Sequence, residues 1–150
     1  MQTPHVPLDI VVATGPLLEE WRTIHNTIIP THQLSPADVA ERSTRHRLTL
    51  AYADDRLVGN ATVRPPHDGV ATVIVRILPS HRRRGHGTSY LEAELAEARR
   101  LGARRIETVV LASNTDGLAF ARAHGFVEHD RYVLDGDTVP YVDLHLPAGD

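Results

Sequence analysis

The chain has no cysteine among its 150 residues. Disulfides, a cysteine nucleophile and thiolate zinc sites are therefore excluded, and cysteine usage is silent about redox compartment. Lysine is missing too. All 16 basic residues are arginine, so the triphosphate P-loop, which requires a lysine after its second glycine, is ruled out. Long apolar runs are absent: residues 10–13 are too short for a signal core, no basic stretch precedes them, and nothing approaches a membrane span. A cytoplasmic location without a membrane partner is the resulting expectation. Metal-ligating patterns are also lacking, since no His-Glu-x-x-His occurs and His81 and His86 merely stand five apart; no metal is expected. Nor is there an excess of positive charge. The 16 arginines face 19 acidic residues, a formal charge of −3 with histidine neutral, whereas a nucleic-acid binder needs a broad basic surface.

What is present fits one globular domain over residues 1–150, with 41% hydrophobic and 23% charged residues. Residues 8–13 predict a strand. Residues 16–29 predict a helix with Leu17, Leu18, Trp21, Ile24 and Ile28 on one side, stopped by Pro30. Ser35 and Pro36 supply an N-cap and a proline at the first helical position, opening a short helix that runs to residue 42 or 43. Residues 47–53 and 56–64 flank Asp54-Asp55 as a hairpin. Residues 70–78 are β-branched and end at Pro79, as a buried strand should. Residues 85–101 then form an amphipathic helix through Leu91, Leu95 and Ala98, closed by Gly102. A strand at 105–111, a helix at 115–124 and strands at 126–134 and 139–146 complete the chain, with Asp135-Gly136-Asp137 turning between the last two.

The most informative segment is Ile77-Leu78-Pro79-Ser80-His81-Arg82-Arg83-Arg84-Gly85-His86-Gly87-Thr88, where an arginine- and glycine-rich turn joins a strand to a helix. Glycine lets the backbone approach a ligand without a Cβ in the way. A helix starting there aims unpaired N–H groups and its positive dipole end at an anion. A dinucleotide fingerprint would need a third glycine where Tyr90 stands, which weakens that reading. The pattern that remains is Arg-x-x-Gly-x-Gly, carried by Arg82, Gly85 and Gly87. A second block follows downstream: Asn114 after a strand, then Phe120, Gly125 and Phe126.

In that order, the two blocks resemble the GNAT superfamily of acyl-CoA-dependent N-acetyltransferases, and the resemblance extends less distinctly from about Leu8 to Leu146. It implies an α/β (α+β) fold: a mixed, strongly twisted sheet of about seven strands with helices on both faces. It further implies acetyl-CoA as cosubstrate. The fourth and fifth strands are expected to splay into a slot for the pantetheine arm, between residues 73–78 and 108–114. On this reading Ile77 and Leu78 offer backbone groups to the cofactor amides. Arg82, Arg83, Arg84, Gly85, His86, Gly87 and Thr88 hold the pyrophosphate, and Asn114 and Phe120 border the arm. A valine at Gly87 is expected to occupy phosphate space. Read from the residues alone, Asn114 is equally a helix N-cap.

The resemblance implies direct attack of a primary amine on the thioester in a ternary complex. The acceptor would be a small molecule, peptide or protein. The family's usual acid is a tyrosine directly after the Phe or Leu of the second block; here Phe120 is followed by Ala121. Three readings stay open. A thiol of pKa about 8.5 leaves fairly well unaided, although a positioned acid typically contributes roughly 10²–10⁴-fold. Another residue could substitute, with His124, Tyr132 and Ser113 as candidates. Or the chain is a catalytically silent acyl-CoA-binding or regulatory module. Glu107 is the carboxylate candidate for a general base, although strand alternation could equally aim it at solvent.

Acceptor sites in the family are built by the first two helices, their connection and the last two strands. That points here to Trp21, His25 and Tyr141, with His32, Asp38 and Tyr132 nearby. Trp21 also follows the apolar spacing of its helix, as a core residue would. Glu19, Glu20, Asp38 and Glu41 could attract a cationic amine, although exposed helix acids are commonplace. No nucleic-acid partner is expected. A homodimer is compatible with the sequence, but nothing in it demands one.

Overall fold

The computed structural model describes residues 7–147. β1 (Asp9–Val12) is a short, largely exposed edge strand. α1 (Leu17–Ile28) turns Trp21, Ile24 and His25 inward. α2 (Pro36–Arg45) opens on a capping box: the Asp38 amide donates to Ser35 Oγ (3.1 Å) and the Ser35 amide to Asp38 Oδ2 (2.8 Å). Pro36 occupies the first helical position, where a missing N–H costs nothing.

β2 (Arg47–Ala53), β3 (Arg56–His67) and β4 (Val70–Ile77) form an antiparallel meander. Both of its turns have two residues of positive φ, Asp54 and Asp55 at 49° and 64° and Asp68 and Gly69 at 52° and 80°. That geometry matches the twist of the flanking strands. The sequence reading ended β3 at Arg64. The strand instead continues through Pro65 and Pro66 to His67, with the register broken between Arg64 and His67. An irregularity of that kind is how a strand end accommodates residues that cannot donate to the ladder.

A 3₁₀ turn (Pro79–His81) leads to α3 (His86–Arg100), followed by β5 (Arg105–Leu111), α4 (Thr115–Ala123), β6 (Val127–Tyr132) and β7 (Tyr141–Leu146). The seven strands lie in the order β1-β2-β3-β4-β5-β7-β6. β4 and β5 are parallel and every other neighbour pair is antiparallel, so the sheet is mixed, as expected.

Strand alternation divides the core between two faces. On one, Leu91 and Ala98 of α3 and Leu118 and Ala121 of α4 pack on Val63, Val73, Ile106, Val142 and Leu144. On the other, Trp21 and Ile24 of α1 and Val39 of α2 pack on Leu48 and Leu50 of β2. Burying each of the larger side chains contributes about 1.5–3 kcal/mol. α1 is further anchored where Trp21 Nε1 donates to the Ala61 carbonyl (3.1 Å) and Asn60 Nδ2 donates to the Trp21 carbonyl (3.0 Å). α1 and α2 lie over β2 and β3, so on that face β5, β7 and β6 carry no helix.

Candidate functional site

β4 and β5 are paired only from Val70 to Thr72 and from Arg105 to Glu107. Beyond that, β4 stays with β3 as far as the Gly59–Ile77 pair, while β5 stays with β7 as far as the Leu111–Tyr141 pair. Two strands bound to different partners in a twisted sheet diverge, and the wedge between them is the expected slot. It holds a cavity of about 650 Å³ lined by residues 73–76 of β4 and 108–111 of β5. A second cavity of about 340 Å³ shares Val75, Arg76, Arg82, Asn114 and Phe120 with the first and extends to the arginine–glycine loop. Together they form one channel, with the loop at one end and a wider chamber at the other.

The loop is built to face a ligand with its backbone. Arg83 and Gly85 have φ of 63° and 82°, and Gly85 is the N-cap of α3 without any side-chain cap. The helix therefore leaves its first-turn N–H groups to whatever lies in front of them. A Cβ on Gly85 would meet nothing within 4 Å, so the backbone angle alone favours glycine there. Gly87 differs: its Cβ would lie 3.0 Å from the Phe120 ring and 3.6 Å from Ile77. A valine there would thus press on Phe120 and Ile77, which line the same cavity as Gly87. Arg82 spans the slot mouth, donating from Nε to the Ile77 carbonyl (2.9 Å) and lying 3.6 Å from Asp116 at the start of α4.

Of the expected cofactor residues, Ile77, Arg82, Arg83, Gly85, Gly87, Thr88, Asn114 and Phe120 line the loop-side cavity. Leu78, Arg84 and His86 do not. Leu78 packs with the α1–α2 core, and its amide is spent on the Val58 carbonyl (2.8 Å). Arg84 is exposed. His86 is buried with Nδ1 unpartnered, and burial, with His81 and Arg84 nearby, holds its pKa below the usual value. Asn114 is the N-cap of α4, accepting from the Gly117 amide (3.0 Å), so the bland reading of that residue is realised. Its side chain also explains Gly117, whose Cβ would come within 2.5 Å of Asn114 Nδ2.

The catalytic candidates part company. Glu107 sits where β4 and β5 are still paired, before the slot opens, and its carboxylate lies 2.9 Å from His145 Nε2. It lines neither cavity of the channel. His124 is also displaced from the channel. Its Nδ1 lies 2.9 Å from the Phe120 carbonyl, which can only accept, so Nδ1 carries the proton and Nε2 receives the Thr88 hydroxyl at 2.9 Å. Nδ1 thus closes the last turn of α4 and Nε2 ties that helix end to Thr88 of α3. Tyr132 does line the chamber, with its hydroxyl donating to Asp143 (3.2 Å). Burial, with Asp143 beside it, raises that phenol above its usual value and keeps it protonated. Ser113 lines the chamber too, and Ala121 presents a methyl group to it.

On the acceptor side, Trp21 is fully buried and lines neither cavity, so it belongs to the core. His25 stacks on it with centroids 5.6 Å apart and reaches the chamber. The Asn26 amide is oriented by Leu34, whose amide donates to Oδ1 (2.8 Å) while Nδ2 donates to the Leu34 carbonyl (3.0 Å). His25 Nδ1, 3.1 Å from that same Oδ1, is then the donor. Burial, reinforced by Arg76, pushes the His25 pKa down to about 4. Tyr141 lines the chamber beside Tyr132, and His32 meets its ring edge-on at 5.4 Å. His32 Nε2 also lies 3.1 Å from Asp137 Oδ2, so the α1–α2 connection touches the β6–β7 connection across the chamber.

The helix acids do not enter it. Glu19 pairs with Arg22, Glu41 with Arg45, Asp38 caps α2, and Glu20 accepts from Tyr52. What the sequence reading missed is the set of arginines lining the chamber: Arg42, Arg64 and Arg76. One signal was available, since Arg76 interrupts the β-branched run of β4. Arg76 lies over the Trp21 ring at 5.9 Å, and burial, with Arg42 and Arg64 close by, pushes its pKa down to about 10.

Among the described residues no group of His, Cys, Asp and Glu is placed to hold a metal ion, and no helix is long and apolar enough to cross a membrane. Residues 16–126 match the model of the acetyltransferase (GNAT) family. A curated relative, mycothiol acetyltransferase of Stackebrandtia nassauensis, is 31% identical over 104 residues, which is 65% of this chain and 34% of that protein; the chain spans about a third of its length. Among solved structures, Ard1 of Thermoplasma volcanium superposes with a TM-score of 0.80 at 16% identity, covering 92% of this chain and 95% of that one. A phosphinothricin acetyltransferase of Sinorhizobium meliloti in complex with AcCoA gives 0.76 at 18% identity, covering 95% and 89%. At such identities these two structures speak for the shared fold.

Proposed function

The chain belongs to the acetyltransferase (GNAT) family, and from that premise we propose that it moves an acetyl group from acetyl-CoA to a primary amine by direct attack within a ternary complex. The observation that carries this reading is the slot itself: β4 and β5 part just where the uncapped N-terminus of α3 faces the opening. The α3 amides, with Arg82 and Arg83, would bind the pyrophosphate, and the free edge of β4 from Val73 to Ile77 would pair with the amides of the pantetheine arm. The thioester then lies where the two cavities join, and the acceptor amine enters from the chamber.

The amine nitrogen attacks the thioester carbonyl, the new C–N bond forms, and the C–S bond breaks as the tetrahedral intermediate collapses. The attacking nitrogen sheds a proton and the thiolate gains one. Without cysteine, no thioester to the protein can form. The arginine-lined chamber favours the neutral form of an amine, as it does for His25. Tyr132, protonated and facing the chamber, is the proposed acid for the departing thiolate. Residues 1–150 would act as one such domain.

Thermal unfolding with acetyl-CoA, using ATP and NAD as controls, tests the premise. A ligand at 100 times Kd adds about 2.7 kcal/mol, a shift of roughly 5–10 °C for a domain of this size. Stabilisation confined to CoA and acetyl-CoA supports the reading, and its absence at saturation removes it. Ala121, at the position of the family's usual tyrosine, favours a second reading as a silent acyl-CoA-binding module. Thiol release above the uncatalysed rate with any amine would dismiss that alternative.

A further inference from the structure

The chamber beyond the slot is lined by arginines without a single Asp or Glu among its lining residues. No described carboxylate lies within ion-pair distance of Arg42, Arg64 or Arg76. Arg76 has the Asn60 amide oxygen at 3.5 Å and the Trp21 face in place of an anion. The acids within electrostatic reach have partners of their own: Asp143 accepts from Tyr132, Asp38 caps α2, Glu41 pairs with Arg45, and Asp137 lies against His32. Three guanidiniums around one cavity, none of them in a salt bridge among the described residues, repel each other, and the arrangement is relieved when an oxyanion enters. Arg42 and Arg64 line only the chamber and not the loop-side cavity, so they are set apart from the pyrophosphate loop.

His32 also narrows the approach to the chamber that it lines. The 3.1 Å contact of His32 with Asp137 joins the two connections that flank it, and a polypeptide threading between them would have to break that contact. We infer that the acceptor is a small amine carrying its own carboxylate or equivalent oxyanion, which Arg42, Arg64 and Arg76 seat while the amine is turned toward the slot. This rests on the acetyl-transfer reading above and supplies its substrate class. It also replaces the expectation that helix acids draw in a cationic amine.

The test compares free amino acids and aminoalkylphosphonates with their carboxamides, with spermidine and with a short peptide bearing a free N-terminus, by acetyl-CoA-dependent thiol release. An anionic amine should exceed its carboxamide by about tenfold or more in kcat/KM, as expected for loss of one charge-assisted contact. The exposed residue Arg64 can be replaced without touching the core: Arg64→Gln should raise KM for that amine by about tenfold while the acetyl-CoA KM stays unchanged. The relative rates of carboxylate and phosphonate separate those two anions. Preference for spermidine, a carboxamide or the peptide overturns the proposal. Trp21, the single tryptophan, lies under Arg76 and gives a readout without turnover. Its fluorescence should respond saturably to the anionic amine and not to the carboxamide, and the response should weaken in Arg64→Gln. A fluorescence response without acetyl-CoA binding would remove acetyl transfer and leave the anion site standing. Acetyl-CoA binding with no response to any anionic amine would remove this proposal alone.

Discussion

Gly87 and Phe120 meet in the slot wall: a Cβ on Gly87 would lie 3.0 Å from Phe120 Cε2 and 3.3 Å from Cζ. The first turn of α3 and the middle of α4 are therefore in contact through a hydrogen where any other residue would place a methyl group. Both residues line the loop-side cavity, so this contact shapes that cavity.

Gly87→Val should weaken acetyl-CoA binding by about tenfold or more, since overpacking of this kind costs about 1–3 kcal/mol and displaces the ring into the slot. Adding Phe120→Leu should restore part of the affinity. Calorimetric titration of both variants checks the coupling. Equal affinity in the wild type and Gly87→Val would show that the ring does not border the bound cofactor.

Asn114→Ala should destabilise the protein by about 0.5–2 kcal/mol, because the Gly117 amide loses its cap. Asn114→Asp keeps an acceptor at the same place and should retain most of the stability. It removes the amide donor, however, so its affinity for acetyl-CoA reports any contact between Nδ2 and the pantetheine arm. Denaturant melts and cofactor titrations separate the two effects.

Glu94 is buried beneath α3 with Arg47 as its ion-pair partner at 3.3 Å, and burial raises its pKa despite that partner. Arg47→Met should cost on the order of 2 kcal/mol at neutral pH by stranding the carboxylate, less than for a fully buried pair because Arg47 is partly exposed. A raised carboxylate pKa means that the folded state holds its proton more tightly than the unfolded chain. The penalty should therefore be absent below the ordinary value of 4.5 and grow as pH rises through the folded pKa. Urea melts of the variant between pH 4 and 8 should show its deficit shrinking toward the acid end.

His25 gives the opposite dependence. Its folded pKa of about 4 lies below the ordinary 6.5, so the unfolded chain binds more protons between those values. The stability linked to neutral His25 is complete above pH 6.5 and lost as pH falls toward 4, on the order of 3 kcal/mol in all. His25→Phe keeps a ring on Trp21 and should flatten stability across that window. Equal slopes for the two proteins would show that other groups govern acid unfolding.

The element order needed no tertiary information. Helix and strand periodicities, the Ser35–Pro36 start, the Asp54-Asp55 turn and the closing Gly102 are local properties, and β2 and β5 begin and end at the expected residues. The arginine–glycine turn was legible for the same reason: a glycine at positive φ in front of a helix is written into a few consecutive residues. The sheet order and the parting of β4 from β5 could be expected only through the family resemblance, and the placing of the catalytic candidates was not legible. Glu107 and Tyr132 lie on strands that look equally able to face the slot, and only the pairing partners of each strand place one outside the wedge and the other in the chamber. Arg42, Arg64 and Arg76 are scattered over a helix and two strands, and long-range packing alone gathers them around one cavity. Local sequence thus determined the elements and the arginine–glycine turn in front of α3, while the long-range strand pairing of the folded sheet decided where the slot opens and which charges surround it.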